Sequence, residues 1–296
     1  LQLLYKHSEK GKIMTTTTRN APLAETHSGG IWRQVGVVAA TIFALTLNIL
    51  ASTLPLNGQS TGEISDRFPV YFVPAGYVFS IWGVIYIGWI AYNIYQAGER
   101  KRHDPLLRAI APWYMLSALA NGLWIVAWHY NYFAVSLGIM LVLLVSLIVV
   151  YAKLAARPPV SRMAFWALYL PFSVYLAWVS VATIANATST FYDLGWTAES
   201  SGPLWAAIMI GVGTVLALAF SWLRADIGFV AVFVWAFVGI YVKHSDTPLV
   251  AWSALIGAGL LVLSLLISVP RRVAQRRGRG DDASALPPNR VQAPSR

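Results

Sequence analysis

Eight long apolar runs, roughly 34–54, 72–96, 110–128, 131–152, 163–187, 203–222, 226–242 and 248–269, alternate with short gaps that collect the charged side chains. A helix needs about 20 residues to cross a hydrocarbon core of roughly 30 Å, and only 226–242 is marginal by that measure. In lipid each run must satisfy its own backbone hydrogen bonds, so segments of this length read as helices; a barrel would show many short alternating segments instead. The pattern predicts an all-α, polytopic membrane bundle of eight transmembrane helices.

Composition sharpens that reading. Hydrophobic residues make up 57% and charged residues 11% of the chain, against about a quarter charged in ordinary soluble domains, which argues against a large soluble helical domain. When successive gaps are assigned to alternate sides, all of the 22 Lys and Arg except Arg67 and Lys243 fall on one side. By the positive-inside rule both termini are expected in the cytoplasm, with the chain an integral protein of a plasma or inner membrane. The net charge of +10 is thus a topology signal, and no nucleic-acid partner is expected. The Arg271–Arg279 run suits contact with anionic membrane lipid, at about 1 kcal/mol per basic residue near such a surface.

The flanks read differently from the spans. Residues 1–30 are polar and lack the apolar core of a cleaved secretion signal; Met14 reads as the natural start, with 1–13 upstream of it. Residues 270–296 are rich in Arg, Gly and Pro and read as a basic, disordered tail. Without cysteine there is no disulfide, thiol chemistry or thiolate metal site.

No Asp, Glu, Lys or Arg lies deep in any run, which argues against ion-coupled pumping, proton relay and a retinal Schiff base. Polarity enters the spans as amides, hydroxyls and indoles at helical spacing. Phe79, Trp82, Tyr86, Trp89 and Asn93 form one stripe; Ser117, Asn121, Trp124 and Trp128 form a second; Tyr175, Trp178, Ala182 and Asn186 form a third. Two readings stand side by side. Asn48, Asn121 and Asn186 suit interhelical hydrogen bonds, and Trp128, Tyr130, Tyr132 and Trp196 suit a membrane interface. Trp82, Trp124 and Trp178 lie away from the predicted ends, where planar rings make good walls for a flat apolar ligand. Small residues such as Gly36, Ala40 and Ala44 suit close helix contact or a dimer seam. His129 has no second histidine in its span, so no metal site is expected.

Pro74-Ala75-Gly76-Tyr77-Val78-Phe79, followed by Trp82 and Tyr86, resembles the start of the second helix in the tryptophan-rich sensory protein and translocator protein family. Asn121-Gly122-Leu123-Trp124 is similar to that family's third-helix Asn-x-x-Trp, and Trp178-Val179-Ser180 with Ala182 and Asn186 is similar to its fifth helix. The resemblance covers about 33–189. It implies a five-helix bundle that binds tetrapyrroles, sterols or similar flat apolar ligands in a cavity roofed by the first loop, here Pro55–Val73. The matching ligand-binding positions are Tyr77, Phe79, Trp82, Tyr86, Asn121, Trp124, Trp178, Ala182 and Asn186. Two departures stand out: Tyr77 takes the place of the usual Trp, and Ser189 and Thr190 stand where the fifth helix commonly has another Trp. Runs six to eight have no counterpart in the five-helix form.

The chain is accordingly expected to comprise a polar tail (1–30), a five-helix ligand-binding-like bundle (31–190), an additional three-helix membrane segment (191–269) and the basic tail (270–296). The leading functional expectation is a receptor, sensor or carrier for a flat hydrophobic small molecule, with a porphyrin- or haem-type tetrapyrrole the ligand that the resemblance implies. A transporter of neutral or apolar solutes and a structural or regulatory subunit of a larger membrane complex are the alternatives, and a homo-oligomer fits either. A general acid–base enzyme is poorly supported, because the usual Asp, Glu and His pairs are missing from the spans.

Overall fold

The computed structural model describes residues 27–54, 56–196 and 201–285. Eight long helices follow the eight apolar runs: α1 (His27–Thr53), α2 (Ile81–Ala97), α3 (Pro105–His129), α4 (Phe133–Ala155), α5 (Leu170–Asp193), α6 (Gly202–Arg224), α7 (Ile227–Lys243) and α8 (Pro248–Ala285). Taken with the turns that lead into them, seven are long and apolar enough to cross a membrane, and the 17-residue α7 is the short one. At about 1.5 Å per residue α7 spans roughly 26 Å, near the lower limit for a crossing. The chain is thus an integral membrane helix bundle. The polar segment 1–26 and residues 286–296 lie outside the described residues, while α8 runs through Pro270 into the segment read as a tail.

Helix boundaries follow from local chemistry. Asp104 caps α3, its Oδ1 accepting from the backbone N–H of Leu106 (3.0 Å) and Leu107 (3.3 Å), with Pro105 just inside where no donor is needed. Asp226 caps α7 by accepting from Phe229 N–H at 3.1 Å. α6 ends on Ala225 in a left-handed conformation (φ 51°), which costs a non-glycine residue about 1–2 kcal/mol and lets α7 begin almost at once. α5 is entered through a π-helical turn, Phe165–Tyr169, and carries Pro171 at its second position.

Contacts arrange α1–α5 in a closed ring: α1 packs on α2 and α3, α2 on α5, α5 on α4, and α4 on α3. Where α2 crosses α5, a Cβ on Gly88 would stand 2.8 Å from Pro171 Cβ, so glycine permits the approach. Buried amides and hydroxyls bind the ring on one side. Thr41 pairs with Tyr114 (2.6 Å), Asn93 donates to Thr41 (2.8 Å), Asn48 donates to Asn121 (2.7 Å), and Tyr86 donates to Asn48 (3.0 Å). Between membrane helices such bonds contribute on the order of 1 kcal/mol each.

α6, α7 and α8 pack on one another, and α7 also packs along α5. Asp226 joins the two groups at one end: beyond its capping role it accepts from Ser173 of α5 (2.5 Å) and from Tyr151 of α4 (2.7 Å). The outward surface is apolar, with Ile87, Ile94, Val215 and Leu266 each about 70% exposed. That inverts the soluble pattern and suits hydrocarbon as the surrounding solvent.

Candidate ligand site

Three aromatic stripes meet inside the ring. Phe79 stands in the 3₁₀ turn Gly76–Ser80, and Trp82 and Tyr86 follow on α2 at intervals of three and four, so the three share a face. Trp82 is the hub. Its ring lies 5.9 Å from Tyr86 and 6.0 Å from Trp124 in stacked arrangements, and 6.3 Å from Trp178 at an interplanar angle of 88°. Phe79 meets Trp178 edge-on at 5.9 Å, and Trp124 stacks on Trp128 at 6.1 Å.

A cavity opens beside this cluster, walled by Phe79, Trp82, Trp124, Trp128 and Trp178 and completed on α5 by Ala182, Ala185 and Asn186. Its volume is about 30 Å³, roughly one water molecule's share of liquid volume. Thr61 and Ser65, at the two ends of the short helix Thr61–Ser65, and Pro74 form its roof. A capping box holds that helix: Ser60 N–H donates to Glu63 (2.7 Å) and Glu63 N–H to the Ser60 hydroxyl (3.2 Å). Accepting first the backbone and then the hydroxyl of Ser60 keeps the Glu63 carboxyl below its usual range.

The polar atoms around this cavity are its most informative feature. The indole N–H groups of Trp124, Trp128 and Trp178 are buried and have no acceptor among the described residues. A buried donor left unpaired costs about 1–3 kcal/mol. Trp124, Trp128 and Trp178 all line the cavity while their indole nitrogens are covered, so a planar molecule with edge acceptors would meet these donors on parting the rings.

The candidate positions named from the sequence distribute as follows. Phe79, Trp82, Trp124, Trp178, Ala182 and Asn186 line the cavity. Tyr86 stacks on Trp82 and hydrogen-bonds Asn48; Asn121, also bonded to Asn48, lies outside the lining. The Asn186 amide donates to Ser136 of α4 at 3.0 Å, so it ties helices as well as facing the cavity. Tyr77 lies outside the cavity, 46% exposed, with its ring edge-on to Trp235 at 5.3 Å. The interface reading of Trp128 is corrected: it is 4% exposed and stacks on Trp124, whereas Tyr130, Tyr132 and Trp196 are exposed. Its spacing of four from Trp124 on α3 was the available signal. Thr61 and Ser65 fall in the Pro55–Val73 loop that the resemblance implied as the roof, and Pro74 opens its second-helix motif; which of these residues meet the cavity had no signal, because a loop's return over a bundle leaves no periodic trace.

The added helices reach this site through α7, which grips the loop leading into α2. Ala75 N–H donates to the Gly239 carbonyl (3.1 Å), Trp235 Nε1–H to the Val78 carbonyl (3.1 Å), and Lys243 pairs with Asp66. His244 Nε2 lies 3.2 Å from the Val73 carbonyl. The roof and the first wall residues are therefore positioned by a helix that the five-helix pattern lacks.

Fold and site together define a polytopic α-helical membrane protein with an aromatic-lined cavity inside a five-helix ring. A family model described as TSPO-like protein matches residues 34–267, and the chain belongs to that family. The match runs beyond the 33–189 resemblance and takes in α6, α7 and most of α8. No curated protein and no solved structure matches the chain.

Proposed function

We propose that this protein is a membrane receptor, sensor or carrier that binds a flat hydrophobic ligand of the tetrapyrrole or sterol class in the aromatic cavity. The observation that carries the reading is the set of unpartnered indole donors of Trp124, Trp128 and Trp178 around the cavity. A planar ligand entering between Trp82 and Trp124 replaces their mutual stacking, worth about 0.5–1.5 kcal/mol, with stacking on its own two faces. Its edge acceptors then satisfy the indoles. Because the resting cavity holds little more than a water, the ligand must separate the rings and lift the roof. Both termini are assigned to the cytoplasm on the distribution of Lys and Arg, in a plasma or inner membrane.

Titration of the purified full chain with protoporphyrin, followed by absorbance and tryptophan quenching, tests the proposal. Saturable binding, competed by an unlabelled flat ligand, is expected. Trp178→Phe keeps a ring but removes a donor, and should weaken binding about 3- to 10-fold, the value of one hydrogen bond. Non-saturable quenching that no competitor reverses would sink the reading.

A further inference from the structure

A second cavity, about 380 Å³, lies on the other face of α5, between α5, α6 and the loop segment 69–72. Its volume falls within the roughly 300–1,000 Å³ of small-molecule sites, and it is more than ten times the inner cavity. The space exists because α6 packs on α7 and α8 but not along α5, and because small side chains, Ala187 on α5 and Ala206 on α6, face it. On α5 the lining runs Thr183, Ile184, Ala187, Thr188, Phe191, Tyr192, and on α6 Gly202, Trp205, Ala206, Met209. Each is a single helical stripe. At about 1.5 Å per residue they extend roughly 10–14 Å along the helix axes.

Polarity changes along that length. Tyr71, Tyr192, Trp196 and Trp205 gather at the loop end, where Trp196 and Trp205 meet edge-on at 5.4 Å, while Ile184, Ala187 and Met209 lie deeper. Among the described residues no Asp, Glu, Lys, Arg or His lines the space, so its described walls offer an anionic or cationic group no partner. Amphipathic rings at the mouth and bare hydrocarbon below repeat the order of a lipid monolayer, interface first and acyl region next. Leu204 and Ile208, which neighbour the lining residues Trp205 and Met209 on α6, are exposed on the apolar outer surface.

We propose that this cavity binds the acyl chain of a membrane phospholipid, with the chain running along α5 and α6 and the head group at the Trp196–Trp205 mouth. The site is separate from the inner aromatic cavity. Ala182, Ala185 and Asn186 of α5 face inward, whereas Thr183, Ile184 and Ala187 face the lipid site, so α5 is the wall between them.

The test reconstitutes the full chain in phosphatidylcholine vesicles doped with a phosphatidylcholine carrying a diazirine near the end of one acyl chain, and maps photolabelled peptides by mass spectrometry. Labelling at 183–192 and 205–209 is expected to exceed that at the exposed α8 positions Leu260 and Leu263 by about fivefold, a modest binding preference. Ala206→Trp should abolish the excess by filling the space, and Ala187→Trp does the same from the opposite wall should the first variant fail to fold. Porphyrin titration of either variant should be unchanged, which separates this site from the inner one. Labelling equal to the α8 control, or an excess that survives both substitutions, overturns the proposal. So does labelling by a diazirine fatty acid but not by the phospholipid, which would make the site one for a free small molecule.

Discussion

His244 sits just past the end of α7, its Nε2 against the Val73 carbonyl and its ring 5.5 Å from that of Tyr71. Burial, then the neighbouring Lys243, hold its imidazole below the ordinary value, against the opposing pull of the Val73 carbonyl, Asp246 and Asp66. A lowered folded value means that the neutral ring's contribution is complete above the unfolded value, near 6.5, and is lost as pH falls through the folded one. Amide exchange across 66–74 should therefore quicken as pH is lowered from about 7 to 5 once intrinsic exchange rates are divided out. His244→Gln should flatten that dependence, and an identical pH profile in the variant would rule His244 out as its source. At this scale the sequence was informative for residues on helices, where Trp82, Trp124 and Trp178 already fell on stripes. It was uninformative for His244, whose partner lies 171 positions earlier in the chain.

α7 has 17 residues, as many as α2 and fewer than the other long helices, and it contacts the site through the loop that leads into α2. The close approach depends on Gly239: a Cβ there would stand 2.2 Å from Val78 Cγ2 and 3.1 Å from Pro74 Cβ. Gly239→Leu should push 74–80 away from α7 at a cost of about 1–3 kcal/mol, typical of overpacking. The expected result is a lower melting temperature in detergent, faster exchange at 75–80 and no change in α1 or α3. Unaltered exchange at 75–80 would show that the contact does not hold the loop. The extent of α7 as an element was readable from its apolar run, including its marginal length. Its role was not, because hydrophobic periodicity records which residues leave water or enter lipid and does not say which neighbour they meet.

Across the whole molecule, the charge distribution and the packing agree on an alternating bundle. Gln34 near the start of α1 bonds the carbonyls of Gln96 and Gly98 at the end of α2, and Arg224 at the end of α6 bonds the Ala155 carbonyl at the end of α4. With no native cysteine, the proposed orientation can be read from single introduced thiols. Val160→Cys, in the basic α4–α5 loop, should resist a membrane-impermeant maleimide in intact cells and react after lysis; Gly58→Cys and Tyr130→Cys should react in both. The opposite pattern would invert the orientation. By itself the sequence determined the all-helical membrane architecture, the eight segments and the residue stripes, because lipid forces each span to satisfy its own backbone and to expose hydrocarbon, and both demands are local. Only the tertiary structure decided that α7 grips the roof of the aromatic cavity, that Trp128 joins its wall, and that α6 stands away from α5 to leave a second, larger cavity. Those outcomes depend on which helix faces meet and how closely, and in a membrane that choice rests on small residues and a few polar contacts distant in sequence, not on the apolar pattern that all the helices share.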